Sequence, residues 1–406
     1  MASKIKRPEL IAPAGDWVSL RAAISNADAV YFGVEKLNMR ANAKNFTIND
    51  ISKVANLCHK NKLKAYLTLN TIIYDDEIEK IRKILKKAKE AEIDAIIAWD
   101  FSVVKECEKL GLDVHLSTQS SIANSGALLF LKNKLKHLKR VVLARELSLK
   151  KIEKIIKNIK NKIEIETFVH GAMCVSVSGR CFLSQELFGR SANRGDCLQP
   201  CRRDYIVKDS EEGHELSLGN NYVMSPKDLC SLPFIDKLIE SGISAFKIEG
   251  RNRSPEYVKT VSSCYREAID AYFDGKLTVE LKKRLVERLK TVYNRGFSSG
   301  FYLGMPTSKD FTDVYGSKAT TRKKYVGYVR NFYKKMGVAE IKLEAGDLKV
   351  GTILMFQGKT TGVVEQKVDS MELNHKKVGK GKKGQSVAVK VKGLVRENDR
   401  VYVIEH

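Results

Sequence analysis

The regular alternation of short apolar runs with helical stretches over the first 250 residues constrains the fold more than any other feature of this sequence. Between the runs lie amphipathic segments such as Asp75–Glu90, whose isoleucines recur at helical spacing. This alternation favours a parallel sheet covered by helices. Eight such runs favour a TIM-like (β/α) barrel over a doubly wound sheet, and no G-x-G-x-x-G motif follows the first run. The predicted strands are Glu9–Ala12, Ala29–Phe32, Lys64–Leu69, Asp94–Ala98, Asp113–Leu116, Arg140–Ala144, Glu164–Val169 and Ala245–Ile248.

The period of the pattern changes to two from Tyr325 onward. Six short β-rich runs follow, separated by turn residues such as Gly346-Asp347 and Asn398-Asp399. Many short strands with such turns predict a small all-β barrel domain. We therefore divide the chain into a barrel domain (1–300) with a cysteine-rich loop (171–230), a linker (301–324) and a C-terminal β-barrel (325–406).

Positive charge predicts a polyanionic partner. The chain has 72 Lys and Arg against 48 Asp and Glu, a formal net charge of +24. Residues 321–406 alone have 19 Lys and Arg against 9 Asp and Glu. Such an excess favours salt-sensitive binding to nucleic acid. One glycine-containing loop, His375–Gly384, supplies five lysines that we predict to contact RNA phosphates, although a merely solvated loop is the alternative. They are Lys376, Lys377, Lys380, Lys382 and Lys383.

The sequence gives no sign of export or membrane insertion. No run of 18 apolar residues occurs, and no apolar region follows the basic start of the chain. We therefore expect a cytosolic protein in which cysteines stay reduced. Its eight cysteines are then expected to be ligands or buried thiols rather than disulfides.

Five cysteines fall within 57 residues, in a glycine-punctuated segment that begins directly after the seventh predicted strand. The spacing is C-x₆-C, then C-x₃-C, then a distant fifth residue, and only the C-x₃-C pair resembles a zinc motif. Thiolates gathered from scattered loop positions favour an iron–sulfur cluster, with zinc or structural thiols as alternatives. The five are Cys174, Cys181, Cys197, Cys201 and Cys230.

Polar residues cluster at and just beyond the ends of the predicted strands, where a (β/α) barrel forms its active site. Helix capping is the alternative explanation, but it accounts poorly for the charged members of the set. The candidates are Arg40, Asn70, His115, Gln119, Arg145, His170, Glu249 and Arg251.

The segment Glu166–Ser184, which contains His170-Gly-Ala-Met-Cys174 and Gly179-Arg-Cys181, resembles the signature of the collagenase-like peptidase family U32. Further similar stretches, such as His115–Gln119 and Lys247–Arg251, extend the resemblance over roughly residues 8–320. The tail resembles the C-terminal domain of the longer members, and also the second, β-barrel domain of translation elongation factors.

The resemblance implies a choice of activities. The family is named for a reported collagenase activity, and other members take part in oxygen-independent hydroxylation of ubiquinone precursors, a ribosomal RNA cytidine or the wobble uridine of transfer RNA. The ubiquinone members hold a four-iron–four-sulfur cluster, and prephenate is implicated as oxygen donor. The resemblance assigns the cluster ligands to Cys174, Cys181, Cys197 and Cys230, with Cys201 as a fifth choice.

We therefore expect an iron–sulfur protein that hydroxylates a transfer-RNA uridine. Arg145 and Arg251 are expected to bind the carboxylates of the donor, with Arg40, Gln119 and Asn70 completing the substrate site. Acid–base roles fall to Glu249, His115 and His170. A peptidase is the rival class, although no G-x-S-x-G or H-E-x-x-H occurs. A non-catalytic RNA-binding protein is the third.

Overall fold

The structure is a computed structural model that describes residues 5–203, 205–217, 224–314 and 316–405. Within those ranges, no helix combines the length and the apolar character needed to cross a membrane. The strands up to residue 300 are β1 (Glu9–Ala14), β2 (Ala29–Gly33), β3 (Lys64–Leu69), β4 (Ala95–Ala98), β5 (Val114–Leu116), β6 (Leu138–Val142), β7 (Glu164–Gly171), β8 (Ile206–Lys208), β9 (Glu215–Ser217), β10 (Asp228–Cys230), β11 (Ala245–Ile248) and β12 (Phe297–Ser298).

Eight of these strands form a closed parallel barrel. Neighbours pair in the order β1 to β7, and β11 pairs with both β7 and β1, which closes the ring. The predicted TIM-like barrel and all eight of its predicted strands are confirmed, with ends that shift by a few residues. Most of the apolar core lies between this sheet and the surrounding helices, where Leu10, Phe32 and Leu67 are fully buried.

Helices follow most of the barrel strands, as the amphipathic pattern predicts. Asp16 and Asn124 cap the first and fifth helices by accepting hydrogen bonds from backbone N–H groups. After the last barrel strand come two helices, separated at Asp274–Thr278. The helices are α1 (Trp17–Ala23), α2 (Ile51–Lys60), α3 (Ile78–Glu90), α4 (Phe101–Leu110), α5 (Ser125–Lys134), α6 (Leu149–Ile159), α7 (Leu183–Phe188), α8 (Ile235–Glu240), α9 (Pro255–Phe273) and α10 (Val279–Lys290).

The interior of the barrel holds charged side chains. The Nζ atom of Lys247 lies 2.8 Å from Oε1 of Glu166, and both side chains are almost completely buried. Arg140 donates from Nη1 to Oε1 of Glu9 at 2.7 Å, and the hydroxyl of Tyr66 donates to the same oxygen. Buried charges need such partners, because an isolated buried charge is strongly destabilising. These pairs form a polar floor beneath the barrel mouth.

The tail is a largely antiparallel β structure that begins at Arg322, inside the predicted linker. Eight strands pair in the order β17-β16-β22-β13-β14-β21-β18-β19, and β15 pairs with β20. No described pairing joins β17 to β19, so closure into a barrel stays a prediction. The strands are β13 (Arg322–Tyr333), β14 (Val338–Leu343), β15 (Leu348–Lys349), β16 (Ile353–Gly358), β17 (Gly362–Lys367), β18 (Met371–Leu373), β19 (Lys376–Lys377), β20 (Lys380–Gly381), β21 (Ser386–Lys390) and β22 (Arg400–Glu405).

One side of the tail packs against the barrel domain. Ala22 of α1 is buried in a small apolar cluster with Met355 and Val363 of the tail. Around this cluster Lys323 pairs with Glu256 at 2.8 Å, and Gln357 donates to the same carboxylate. These contacts fix the tail beside the N-terminus of α9, close to the barrel mouth.

Candidate active site

A cavity of about 50 Å³, hereafter the mouth pocket, lies at the carboxyl ends of the barrel strands. These side chains come together because all parallel strands of a barrel end at the same rim. The structure places every predicted substrate-binding residue in this pocket, together with one predicted acid–base residue. These are Arg40, Asn70, Gln119, Arg145, Glu249 and Arg251.

Arg40 and Glu249 form an ion pair in the mouth pocket. The Nη2 and Nε atoms of Arg40 donate to Oε1 of Glu249 at 2.8 and 3.2 Å. Burial alone would raise the pKa of Glu249, but the Arg40, Arg253 and Arg145 guanidinium groups lower it to about 2. Glu249 is therefore ionised at neutral pH. It can accept hydrogen bonds and orient a ligand, but it cannot serve as a general acid in this state.

Arg145 and Arg251 have no carboxylate partner among the described residues. Arg145 donates to the carbonyl oxygen of Ala172 at 2.9 Å and lies 3.9 Å above the ring of Phe168. Its buried Nε finds no acceptor among the described residues. Arg251 is 5% exposed and donates to Oγ1 of Thr68 at 3.0 Å. Burial lowers the pKa of Arg251 to about 10, so it remains charged at neutral pH.

The mouth pocket therefore carries an excess of positive charge. The single carboxylate of Glu249 is already paired with Arg40, which leaves the Arg145 and Arg251 guanidinium groups for a ligand. Guanidinium binds carboxylate in a planar, bidentate geometry. The arrangement suits an anionic ligand.

Two glycines allow the charged side chains to approach the barrel rim. A Cβ at Gly33 would lie 2.3 Å from Nη1 of Arg251. A Cβ at Gly171, whose φ is +110°, would lie 2.7 Å from the carbonyl oxygen of Glu249. Both positions need glycine because a side chain would displace a residue of the mouth pocket.

The two histidines predicted as acid–base residues lie outside the mouth pocket, and their catalytic role stays a prediction. Neither His115 nor His170 is among the residues that line the cavities described here. His115 lies within β5 and packs edge-on against Tyr66 in the barrel interior. His170 is surrounded by the rings of Tyr257, Tyr265 and Phe297. Burial lowers the pKa of both, that of His170 to about 3, so both imidazoles are uncharged at neutral pH.

A second cavity, of about 110 Å³ and hereafter the thiol cavity, lies beside the mouth pocket. Four cysteines of the loop line it, and it shares Arg40, Gln119 and Arg145 with the mouth pocket. Glu146 contacts the loop, because its carboxylate accepts a hydrogen bond from the backbone N–H of Ser178 at 2.8 Å. The four cysteines are Cys174, Cys181, Cys197 and Cys201.

Backbone N–H groups already point at two of the thiols. The Leu183 N–H donates to Sγ of Cys181 at 3.4 Å, and the Gln199 N–H donates to Sγ of Cys197 at 3.3 Å. Hydrogen bonds of this kind to sulfur tune the potential of iron–sulfur clusters. Among the described residues, no three His, Cys, Asp or Glu side chains surround a single metal ion.

Cys230 does not line the thiol cavity, although the sequence analysis assigns it as the fourth ligand. It lies at the end of β10, which pairs antiparallel with β7 and sets Cys230 opposite His170. Its Sγ lies 4.0 Å from the hydroxyl of Tyr265, and burial raises the pKa of its thiol to about 12. Cys201, the fifth choice in the sequence, is the residue that completes the set around the cavity.

Several other residues line the mouth pocket but were not predicted from the sequence as site residues. Tyr31, Thr68, Phe168 and Lys247 lie on the barrel strands themselves, so their neighbours in sequence suggest only core positions. Alternation along each strand could have identified them, because inward-facing positions near the carboxyl end line the pocket floor.

The five lysines predicted to bind RNA lie away from both cavities. They belong to or flank β19 and β20, and β19 is the edge strand farthest from β17 in the sheet order. Lys380 pairs with Asp347 at 2.7 Å, and the others are exposed. Their RNA-binding role stays a prediction.

Several known proteins are similar in sequence to this chain over most of its length. Residues 15–312 match the model of peptidase family U32. A Porphyromonas gingivalis protein named collagenase is 45% identical over 405 residues, 97% of each chain. The tRNA hydroxylation protein P1 of Bacillus subtilis is 38% identical over 80% of this chain and 78% of its own. A 23S ribosomal RNA 5-hydroxycytidine synthase of Escherichia coli is 33% identical over 82% of this chain and 55% of its own.

The family match covers most of the barrel domain, including the loop with Cys174, Cys181, Cys197 and Cys201 and all six predicted residues of the mouth pocket. By the extent of that match and by its identity to these relatives, the chain belongs to peptidase family U32.

Proposed function

We propose that this protein is an iron–sulfur enzyme that hydroxylates the wobble uridine of transfer RNA to 5-hydroxyuridine, with a prephenate-like molecule as oxygen donor. One observation carries the proposal: the thiol cavity and the anion-binding mouth pocket share Arg40, Gln119 and Arg145. A donor held by arginines would thus lie next to the thiols. The hydroxylation proteins among the relatives support the reaction class.

The donor set of the thiol cavity fits a four-iron–four-sulfur cluster. Such clusters are held by four thiolates, and Cys174, Cys181, Cys197 and Cys201 provide them. When bound, the cluster would supply Lewis acidity or redox capacity beside the mouth pocket. Cys201 replaces Cys230 in this assignment because it lines the cavity and Cys230 does not.

The chain's own residues bind and orient the donor. Arg145 and Arg251 would hold one carboxylate each, and their buried position strengthens each charge-assisted hydrogen bond. Asn70 and Gln119 supply neutral donors and acceptors for hydroxyl or carbonyl groups of the ligand. Glu249, held ionised by Arg40, would accept a hydrogen bond from a hydroxyl of the donor or of the nucleotide.

The relatives leave two RNA classes open. The wobble uridine is favoured because this chain matches 72–80% of the length of relatives named tRNA hydroxylation proteins, at 30–38% identity, and the ribosomal RNA synthase is 33% identical. This chain matches only 55% of that synthase's length. A ribosomal cytidine is the second candidate.

The peptidase alternative finds little support in the geometry. A cysteine nucleophile needs a thiolate and a histidine base. Tyr265 joins Cys230 and His170, yet the pKa of the thiol is raised to about 12 and that of the imidazole is lowered to about 3. That pair is therefore a neutral thiol beside a neutral ring, both shielded from solvent.

Nucleoside mass spectrometry of RNA from a deletion strain tests the proposed function. We expect 5-hydroxyuridine to disappear from transfer RNA, to return with the wild-type gene and to stay absent with Arg251→Lys, which keeps the charge but loses the planar fork. Loss of a ribosomal hydroxycytidine instead would favour the second candidate. Unchanged nucleosides together with collagen cleavage by the purified iron-loaded protein would contradict hydroxylation and support the peptidase.

A further inference from the structure

A cleft of about 1110 Å³ separates the barrel mouth from the tail. One wall consists of the loops that follow β1, β2 and β11, and the other of the tail segments Gln357–Thr360 and Arg396–Arg400. The cleft shares Arg40, Glu249 and Arg251 with the mouth pocket. A ligand in the cleft would therefore have direct access to the site of the proposed chemistry.

The lining of this cleft is strongly basic. It contains eight Lys and Arg side chains and four Asp and Glu side chains. Arg40, Lys44 and Lys323 form ion pairs with carboxylates of the protein. The other five have no such partner among the described residues. These are Arg251, Arg253, Lys359, Arg396 and Arg400.

The charge is contributed by both domains and faces one volume. Arg253 follows the last barrel strand and lies 3.8 Å above the ring of Tyr293, which fixes its position. Lys359, Arg396 and Arg400 belong to the tail and are exposed. Unpaired cations on two facing walls bind a chain of phosphates better than a single small anion, because each phosphate contact releases counterions.

The start of helix α9 strengthens this preference. Ser254 and Pro255 line the cleft at the N-terminus of this 19-residue helix, and the Ser254 side chain makes no capping hydrogen bond there. Helix N-termini attract phosphate, and (β/α) barrels commonly bind phosphate beside the loop that follows the eighth strand. Nearby, Arg251 is 95% buried, lines the same cleft and lacks a carboxylate partner among the described residues.

Resting on the proposed function, we propose that the cleft holds the phosphodiester backbone of a single-stranded RNA loop. Its phosphates contact Arg253 and the tail residues Lys359, Arg396 and Arg400 on opposite walls. The target base turns away from its neighbours toward Glu249 and Arg251, because enzymes that modify a base must take it out of the stack. Loops are the part of RNA in which a base is free to do so.

This assignment differs from the predicted lysine loop. The loop His375–Gly384 contributes no residue to the cleft, and its strand β19 lies at the other edge of the tail sheet. The two surfaces belong to one domain and carry similar exposed charge, and the charged residues of each can be substituted independently.

Two triple variants of the full-length iron-loaded protein test the cleft. One is Lys359→Ser, Arg396→Ser and Arg400→Ser, and the matched control is Lys334→Ser, Lys335→Ser and Lys349→Ser, at exposed positions outside both the cleft and the predicted lysine loop. Each removes three exposed cations from the same domain, and exposed substitutions usually change stability by no more than about 0.5 kcal/mol. Fluorescence anisotropy with a labelled anticodon stem-loop, over a range of salt concentrations, gives affinity and salt slope. Iron content and thermal unfolding check that both variants stay intact.

We expect the cleft variant to bind more weakly and to lose about two units of the slope of log affinity against log salt, at roughly 0.7 per phosphate contact. The control should lose less than about one unit. A cleft variant with wild-type affinity and slope would overturn the inference, whether or not the control loses binding. A wild-type protein that binds the stem-loop without salt dependence would overturn it too. The nucleoside measurement decides the hydroxylation proposal separately, because it compares strains with and without the gene.

Discussion

At the scale of single residues, several predicted side chains of the mouth pocket lie just beyond a strand end, whereas the two predicted histidines lie within strands. Arg40, Asn70 and Gln119 come after their strands end, and all reach the mouth pocket. His115 lies inside β5, and β7 continues past His170 to Gly171. A prediction that placed the end of β7 at Val169 therefore put His170 at the rim when it belongs to the wall.

Replacement of His115 by Phe tests its structural role. Burial and the charges of Arg140 and Lys247 lower the pKa of His115 well below its ordinary value. As pH falls below about 6.5, His115 becomes protonated in the unfolded chain but stays neutral in the folded chain. The wild type therefore loses folding free energy as the pH falls. His115→Phe cannot titrate, and we expect its melting temperature to decline less between pH 7 and pH 5.

The same variant should keep RNA hydroxylation at pH 7 near the wild-type level. Loss of a general acid or base typically costs about 10²–10⁴-fold in rate. A hundredfold loss of hydroxylation with an unchanged pH dependence of melting would restore His115 to the catalytic set. The comparison uses the pH slope rather than the absolute melting temperature, because the larger ring can itself cost some stability.

Cysteine replacements decide which thiols hold the cluster. Cys201 lines the thiol cavity, whereas Cys230 is buried beside Tyr265. After anaerobic reconstitution we expect Cys201→Ala, like Cys174→Ala, to lose the visible absorbance and most of the bound iron. We expect Cys230→Ala to retain both. An iron-free Cys230→Ala protein beside an iron-loaded Cys201→Ala protein would favour the assignment made from resemblance. Bound zinc without iron in the wild type would contradict the cluster itself.

At the scale of elements, barrel strands were predictable because burial on both faces leaves uninterrupted apolar runs. The short strands β15, β18, β19 and β20 were not, because two or three residues such as Lys376–Lys377 carry no periodic signal. Part of the predicted lysine loop is therefore strand. The pairing of β10 with β7 could not be predicted from the sequence either, because long-range contacts determine which strand a three-residue strand pairs with. That pairing determines the position of Cys230.

Gly171→Ala tests how the end of β7 supports the mouth pocket. At φ +110° an alanine is strained, and its Cβ would lie 2.7 Å from the carbonyl oxygen of Glu249. Strain of this kind costs about 1–3 kcal/mol, and relief requires β11 to move with Glu249. We expect a matching loss in the free energy of unfolding by denaturant, together with reduced hydroxylation.

The matched control for Gly171→Ala is Gly379→Ala, where a Cβ would meet open space. It should change the free energy of unfolding by less than about 0.5 kcal/mol. Equal stability of the two variants would show that the close approach of β7 to Glu249 imposes no constraint.

At the scale of the whole molecule, three cavities adjoin one another, and one of them depends on how the domains are arranged. The barrel forms the mouth pocket, its loop forms the thiol cavity, and the cleft exists only while the tail is docked. The sequence predicts two domains of different period, but docking depends on residues that look ordinary in sequence, such as Ala22 and Val363. Their contact is apolar and joins distant parts of the chain, so composition could not reveal it.

Val363→Asp tests whether docking of the tail serves the RNA and not the metal. Val363 is buried against Ala22 and Met355, and an unpaired carboxylate there would be strongly destabilising. We expect the tail to separate, with two thermal transitions in place of one, while iron content stays at the wild-type level. Hydroxylation should fall by at least about tenfold, which corresponds to ~1.4 kcal/mol in RNA binding. Val350→Asp, at an exposed position of the same domain, is the control and should change neither. If Val363→Asp separates the domains yet preserves RNA hydroxylation, the barrel domain alone recognises the RNA, and the charge of the tail serves another purpose.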